Sequence, residues 1–454
     1  MKKFFLSFLV VYICLPGFAQ NTDSIFVRKL ADEILVNSKA YHNLRDLTKN
    51  IGARLAGSKQ MTRSEQWGLR LMNESGADTA WMQECLVPHW DRGGKDQATA
   101  MYTGKKKSLD ILALGNSIGT GEKGLTARVV MVRNFDELEQ MKDQVKGAIV
   151  FYNHRFIDTY IHTFSSYREA SQYRGQGPSR AAKYGAVAVI VRSMSHAADN
   201  SPHTGATRYD SAYNRIPAAA IGLRDADWLA GEIKKGSITI TLKTNGQFYP
   251  DVKGHNIIGE IRGSEFPNEY ITVGGHLDSW DVGEGAHDDG AGCVQTIEIL
   301  RAFNAIGYKP KRSIRFVLFA NEENGLRGGN KYAEVAKVNN ERHILAIESD
   351  AGGFTPRGFC FTGSDTQFEK FLQWKSIISP YGCNEFIRGG GGADIGPLNR
   401  AMQTPLVGLN PDSQRYFDIH HARTDVFEAV NKRELELGAV NMAALIYLAD
   451  KYGL

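Results

Sequence analysis

Residues 271–292 read ITVGGHLDSWDVGEGAHDDGAG. An apolar run stops there in a glycine-rich loop that crowds His276, Asp278, Asp281, Glu284, His287, Asp288 and Asp289 together. Carboxylates this close repel one another unless positive charge sits among them. The same pattern recurs where other apolar runs end. SIRFVLFA leads into Asn321, Glu322 and Glu323, HILAIES leads into Asp350, and TPLVGL is followed by the loop DIHHARTD. Each residue alone has an ordinary explanation: a solvated Glu pair, a hydrogen-bonded His, or Asp288 and Asp289 as caps of a following helix. Their convergence does not, because several anions gathered at one buried edge are prohibitive without cations. Imidazoles and carboxylates suit zinc. Two imidazoles with three carboxylates exceed what one catalytic zinc takes, and suit a pair of ions that share a carboxylate and hold a water between them.

Such a convergence requires strands that run the same way. From residue 251 the pattern supplies them. NIIGEIRG, YITVGG, SIRFVLFA, HILAIES and TPLVGL read as strands. DDGAGCVQTIEILRAFNAIG reads as a helix, with Val294, Ile297, Leu300 and Phe303 on one face and Gly307 near its end. A long helix, NKRELELGAVNMAALIYLADKYG, closes the chain. The expected fold is α/β, with a mostly parallel central sheet flanked by helices and ligands at the carboxyl ends of its strands. Upstream, residues 25–115 begin with helical patterns. From residue 122 come short β-rich runs (ARVVMVRN, GAIVFYN, AVAVIVRS, IPAAAI, ITITLKT), spaced by the polar stretches 153–180 and 194–214 and one helical patch, SRAAKYG. They read as an inserted β-rich module; the alternative is that they continue the main sheet. The expected divisions are 1–20 (signal peptide), 21–121 (N-terminal part of the main domain), 122–246 (insertion) and 247–454 (catalytic domain).

A chain of 454 residues exceeds one ordinary domain, and its 42% apolar content supports a large core. The net charge of +4 is dispersed, without a basic cluster, which argues against nucleic acid as a partner. Lys2 and Lys3 precede the apolar FFLSFLVVYICLPGFA, a signal-peptide pattern with cleavage expected near Ala19 or Gln20. The mature chain is then exported, periplasmic or extracellular, and soluble, with no membrane span expected. A lipid anchor on Cys14 is the alternative. Of the remaining cysteines, Cys360 and Cys383 are a candidate disulfide, and no CxxC spacing suggests thiolate-bound zinc. Arg388, before GGGGADIGP, is a candidate clamp for a substrate's free carboxylate, with Asp394 a further candidate substrate contact; a plain surface loop is the alternative.

The motifs GGHLDSWDVGEGAHDDGAG, FVLFANEENGLRG, IESDAGG and HHARTD, in this order, resemble the co-catalytic di-zinc exopeptidases of the aminopeptidase superfamily, in particular the carboxypeptidase Q-like, plasma glutamate carboxypeptidase type. IGARLAGS at 51–58 resembles that family's N-terminal segment, and AAKYGAVAVIVRS with SPHTG resembles pieces of a protease-associated domain. The resemblance implies two Zn2+ per chain held by His276, Asp288, Glu323, Asp350 and His421. Asp288 would bridge, and His420 is the rival of His421. It implies Glu322 as general base and Asp278 as the residue orienting His276. It also implies short unblocked peptides, dipeptides especially, as substrates, and a homodimer. Val426 departs from the family, which commonly has Thr after that Asp. A single-zinc glutaminyl cyclase and a binding module that has lost its ligands are the competing readings.

Overall fold

The computed structural model describes residues 17–454. Cys14 and the charged start of the chain lie outside the described residues, and the expected cleavage point falls inside the first helix, Gly17–Asn37. Among the described residues no helix is long and apolar enough to cross a membrane.

Two eight-stranded sheets organise the chain. β1 (Thr79–Asp91) belongs to the first. β2 (Gln97–Tyr102), β3 (Lys105–Leu109), β4 (Ile111–Ala113), β5 (Leu125–Val132), β6 (Ile149–Tyr152), β7 (Ala188–Arg192), β8 (Ala218–Ile221) and β9 (Thr239–Lys243) form the second. β10 (Gln247–Ile261), β11 (Phe266–His276), β12 (Arg312–Phe319), β13 (Arg342–Glu348), β14 (Pro356–Thr362), β15 (Glu385–Arg388) and β16 (Leu406–Pro411) complete the first.

The centre of the first sheet is parallel, as its apolar runs imply: β11 pairs with β12 and β13, and β13 with β16. β1 and β10 on one side, and β14 on the other, pair antiparallel. β12 is buried at every position but its first, as a strand covered on both faces should be. The helices Ala291–Ala305 and Lys432–Tyr452 are buried along most of their length. Their Ile297, Leu300, Phe303 and Leu445 share one apolar core with Ile271 and Phe316 of the sheet. Gly307 takes φ +70°, a conformation open to glycine at little cost, just past the end of the first of these helices. Because the four central strands run together, the segments leaving β11, β12, β13 and β16 meet at one edge.

The second sheet departs from expectation in two ways. Residues 97–113, upstream of 122, already supply three of its strands. It is also layered rather than merely β-rich. β5 to β8 pair in parallel, and helices Phe135–Gln140, Thr163–Gly175, Gly177–Ala182 and Leu223–Ile233 lie between its strands in the chain. The polar stretch 153–180 concealed one of them. The buried positions of Thr163–Gly175 are Thr163, Ser166, Ala170 and Tyr173, helically spaced but mostly small or polar, so hydrophobic periodicity cannot reveal them. Among the described residues, no strand of this sheet joins the first.

The Cys360–Cys383 bridge does not form; Cys85, Cys293, Cys360 and Cys383 are all free thiols. The strand register sets Cys360 opposite Ile387, while the Cys383 thiol points at the Gly358 carbonyl, 3.8 Å away.

Candidate metal centre

His276 is the last residue of β11. Its N–H donates to Asp289 Oδ2 (3.0 Å) and its Nδ1 lies 3.0 Å from the Asp278 carbonyl, so Nε2 is left to face the loops. Nε2 sits 3.2 Å from Asp288 Oδ1 and 3.3 Å from Asp350 Oδ1. The other oxygen of Asp288, Oδ2, lies 3.2 Å from His421 Nε2, which is 3.1 Å from Glu323 Oε2. Asp288 thus divides its two oxygens between two donor sets, His276 with Asp350 and His421 with Glu323. His420 stacks on His421 with ring centroids 3.5 Å apart, and its Nε2 is farther from Asp288 Oδ2, at 3.6 Å. The second oxygen of Glu323 is buried without a partner.

The electrostatics follow from anions crowded around two imidazoles. Burial disfavours a charged imidazole, yet Asp350 and Asp288 outweigh it and raise the His276 pKa well above its ordinary value. Glu323 and Asp288 likewise overcome burial at His421 and lift it to about 10. Asp288 is also penalised by burial, but hydrogen bonds from both imidazoles hold it well below the usual carboxylate range. Burial and Asp288 push Glu323 up to about 7. Burial, with Asp350 and Glu323 opposing His276, pushes Glu322 well above its usual value. Here protonated imidazoles supply the positive charge. Divalent cations between the same groups would supply more of it and restore both imidazoles to neutral ligands.

The supporting residues explain this geometry. Asp278 reaches His276 Nδ1 with its main-chain carbonyl at 3.0 Å, and its carboxylate lies 3.7 Å from the same nitrogen. That carboxylate accepts the N–H groups of Glu322 (3.0 Å) and Glu323 (3.3 Å), which ties the loop after β11 to the loop after β12. Asp289 caps the helix that follows by accepting the Gly292 N–H at 2.9 Å, so only Asp288 of the pair turns to the donor sets. His287 is scaffolding and stacks on Phe354 at 4.2 Å. Asp425, in the sequence only a spacing mark for His421, accepts the N–H groups of His287 (2.8 Å) and Asp288 (3.1 Å).

Arg54, within IGARLAGS, is fully buried and spends its guanidinium on the carbonyls of Leu277, Glu284 and Gly285. It holds the loop that carries the donor residues. Arg54→Met leaves the Leu277 and Glu284 carbonyls unpaired, while the Gly285 carbonyl keeps the Gly290 N–H at 3.0 Å, and is expected to cost about 2–4 kcal/mol, measured as a lowered Tm.

Two expected substrate contacts are engaged or enclosed within the protein. Arg388 pairs with Asp365 (2.8 Å) and lies over the Phe368 ring at 4.3 Å. Asp394 is fully buried with both oxygens unpartnered, so it offers no surface to a substrate. The glycine run serves Glu348 instead. The N–H groups of Ala393, Asp394 and Ile395 donate to the Glu348 carboxylate, and a Cβ at Gly392 would come within 2.2 Å of it. Glu348 went unmarked in the sequence although it carries the same signal as its neighbours, an acid at a strand end.

Comparison with known proteins agrees with this arrangement. Residues 256–446, which contain both donor sets, match peptidase family M28. Carboxypeptidase Q of Homo sapiens is 35% identical over 412 residues, covering 90% of this chain and 85% of that one. Carboxypeptidase Q of Xenopus laevis is 33% identical over 472 aligned positions, covering 99% of this chain and 98% of that one. The crystal structure of a peptidase M28 precursor from Shewanella amazonensis SB2B superposes with a TM-score of 0.90 at 30% identity, covering 95% of this chain and 97% of that one. With similarity of this depth over nearly its whole length, the chain belongs to peptidase family M28 and is a metallopeptidase.

Proposed function

We propose that the chain is a zinc exopeptidase that hydrolyses short unblocked peptides, dipeptides among them, with two ions that share Asp288. One observation carries this reading: the two oxygens of Asp288 face two separate imidazole–carboxylate pairs. A single-ion cyclase needs only one such pair, and a binding module needs neither. The relatives' name, carboxypeptidase Q, supports action at a chain end. Export rests on the signal pattern of residues 1–20.

When bound, such an ion pair supplies Lewis acidity and lowers the pKa of a shared water toward neutrality. The protein's own residues do the rest. Asp278 fixes the main chain of Glu322 through its N–H. The raised pKa of Glu322 suits a group that takes a proton from water and returns it to the nitrogen of the leaving amine. Asp350 beside His276, and Glu323 beside His421, would each add a carboxylate oxygen to hold one ion.

A panel of dipeptides and N- or C-blocked peptides, assayed with and without a chelator, tests the proposal. Chelator-sensitive cleavage that requires one free end is expected. Chelator-resistant activity, or internal cleavage of peptides blocked at both ends, would contradict it. The pH dependence has a definite sign. His276 and His421 are held protonated in the metal-free protein, so each ion must displace a proton. Zinc affinity is expected to rise with pH, roughly tenfold per unit for each imidazole displaced. Proton release on adding Zn2+ in weak buffer measures it.

A further inference from the structure

The two donor histidines are oriented from different places. His276 is oriented from its own loop, by the Asp278 carbonyl two residues on. His421 is oriented from the second sheet. The loop between β7 and β8 brings SPHTG, residues 201–205, against His420 and His421. The Thr204 N–H donates to the His421 carbonyl (2.9 Å), and the Thr204 carbonyl lies 3.3 Å from His421 Nδ1. His203 Nδ1 meets the His420 carbonyl at 2.7 Å. The loop is itself pinned: the Thr204 hydroxyl donates to the Ala113 carbonyl at the end of β4 (2.9 Å), and the Gly115 N–H donates to the Gly205 carbonyl (3.0 Å).

His421 needs this grip. Its φ is +59°, left-handed backbone that is uncommon outside glycine, and the contacts with residues 203–205 flank it. The Thr204 carbonyl, which also accepts from Arg174 Nη1 (3.5 Å), is the acceptor at Nδ1, while Arg174 Nη1 itself lies 3.4 Å from that nitrogen; a proton on Nδ1 shared with the carbonyl leaves the Nε2 lone pair toward Asp288 and Glu323, as a ligating imidazole requires. Gly205 completes the fit. A Cβ there would come within 2.6 Å of His421 Nδ1 and 2.5 Å of Arg174 Nη1.

Resting on the two-ion reading above, we infer that residues 203–205 of the second sheet are positioning residues for the His421 half of the centre alone, so that this module sets the occupancy of one ion and not of the other. The second sheet is then part of the metal site.

Competitive Zn2+ titration of the full-length protein against a metallochromic chelator, with Tm measured on the metal-free forms, tests this. Wild type is expected to bind two ions. Gly205→Ala is expected to weaken one of them by roughly 10–100-fold and leave the other at wild-type affinity. His203→Ala, which frees only the His420 carbonyl, is expected to weaken the same ion less, and it carries the test should Gly205→Ala fail to fold. Equal weakening of both ions, or unchanged affinities with only a lowered Tm, would overturn the inference while the two-ion reading stands. A wild-type protein that binds a single ion would overturn that reading, and the inference with it.

Discussion

Glu322→Gln is expected to retain its zinc and lose roughly 10²–10⁴-fold in kcat, with KM little changed. The substitution keeps shape and the main-chain N–H that Asp278 holds at 3.0 Å. It removes only the capacity to accept a proton. Among the described residues, Glu322 makes no ion pair with either histidine, whereas Asp288, Asp350 and Glu323 do. The donor sets therefore survive the change. Zinc content measured beside kcat and KM on a dipeptide separates loss of the base from loss of metal. Near-wild-type turnover in a zinc-loaded variant would remove Glu322 from the mechanism.

Asp288→Asn has the opposite signature. Asp288 is the one residue in both donor sets, and hydrogen bonds from His276 and His421 keep it ionised despite burial. An amide in its place offers one neutral oxygen and an NH2 donor, so both ions are expected to be lost and activity to fall by at least about 10³-fold, roughly 4 kcal/mol of transition-state stabilisation. His421→Ala is the comparison, because it touches only one set. A variant at position 288 that keeps one ion at full affinity would show that the carboxylate does not bridge.

The donor residues were legible because of how parallel sheets are built. Buried strands read as unbroken apolar runs, and strands that run together end together, so acids and imidazoles just past β11, β12 and β13 had to meet. What stayed hidden is contact between segments far apart in sequence. Nothing local marks Thr204 or His203 as neighbours of His421, since the loop that carries them belongs to another sheet. Arg54 sits in IGARLAGS with nothing local to mark its partners, yet it is fully buried and bonded to three carbonyls of the loop at 277–285. Arg388 failed in the opposite sense. A cation beside four glycines suggested a clamp, but its partners are Asp365 and Phe368, and of the four glycines Gly392 makes room for Glu348. The disulfide failed on register, which sequence spacing does not reveal.

Anomalous diffraction at the zinc edge, from crystals of protein purified without a chelator, tests the shared carboxylate most directly. Two peaks are expected about 3.5–4 Å apart, one against His276 and Asp350 and one against His421 and Glu323, with an oxygen of Asp288 on each. A single peak, or two peaks of which only one touches Asp288, would contradict it.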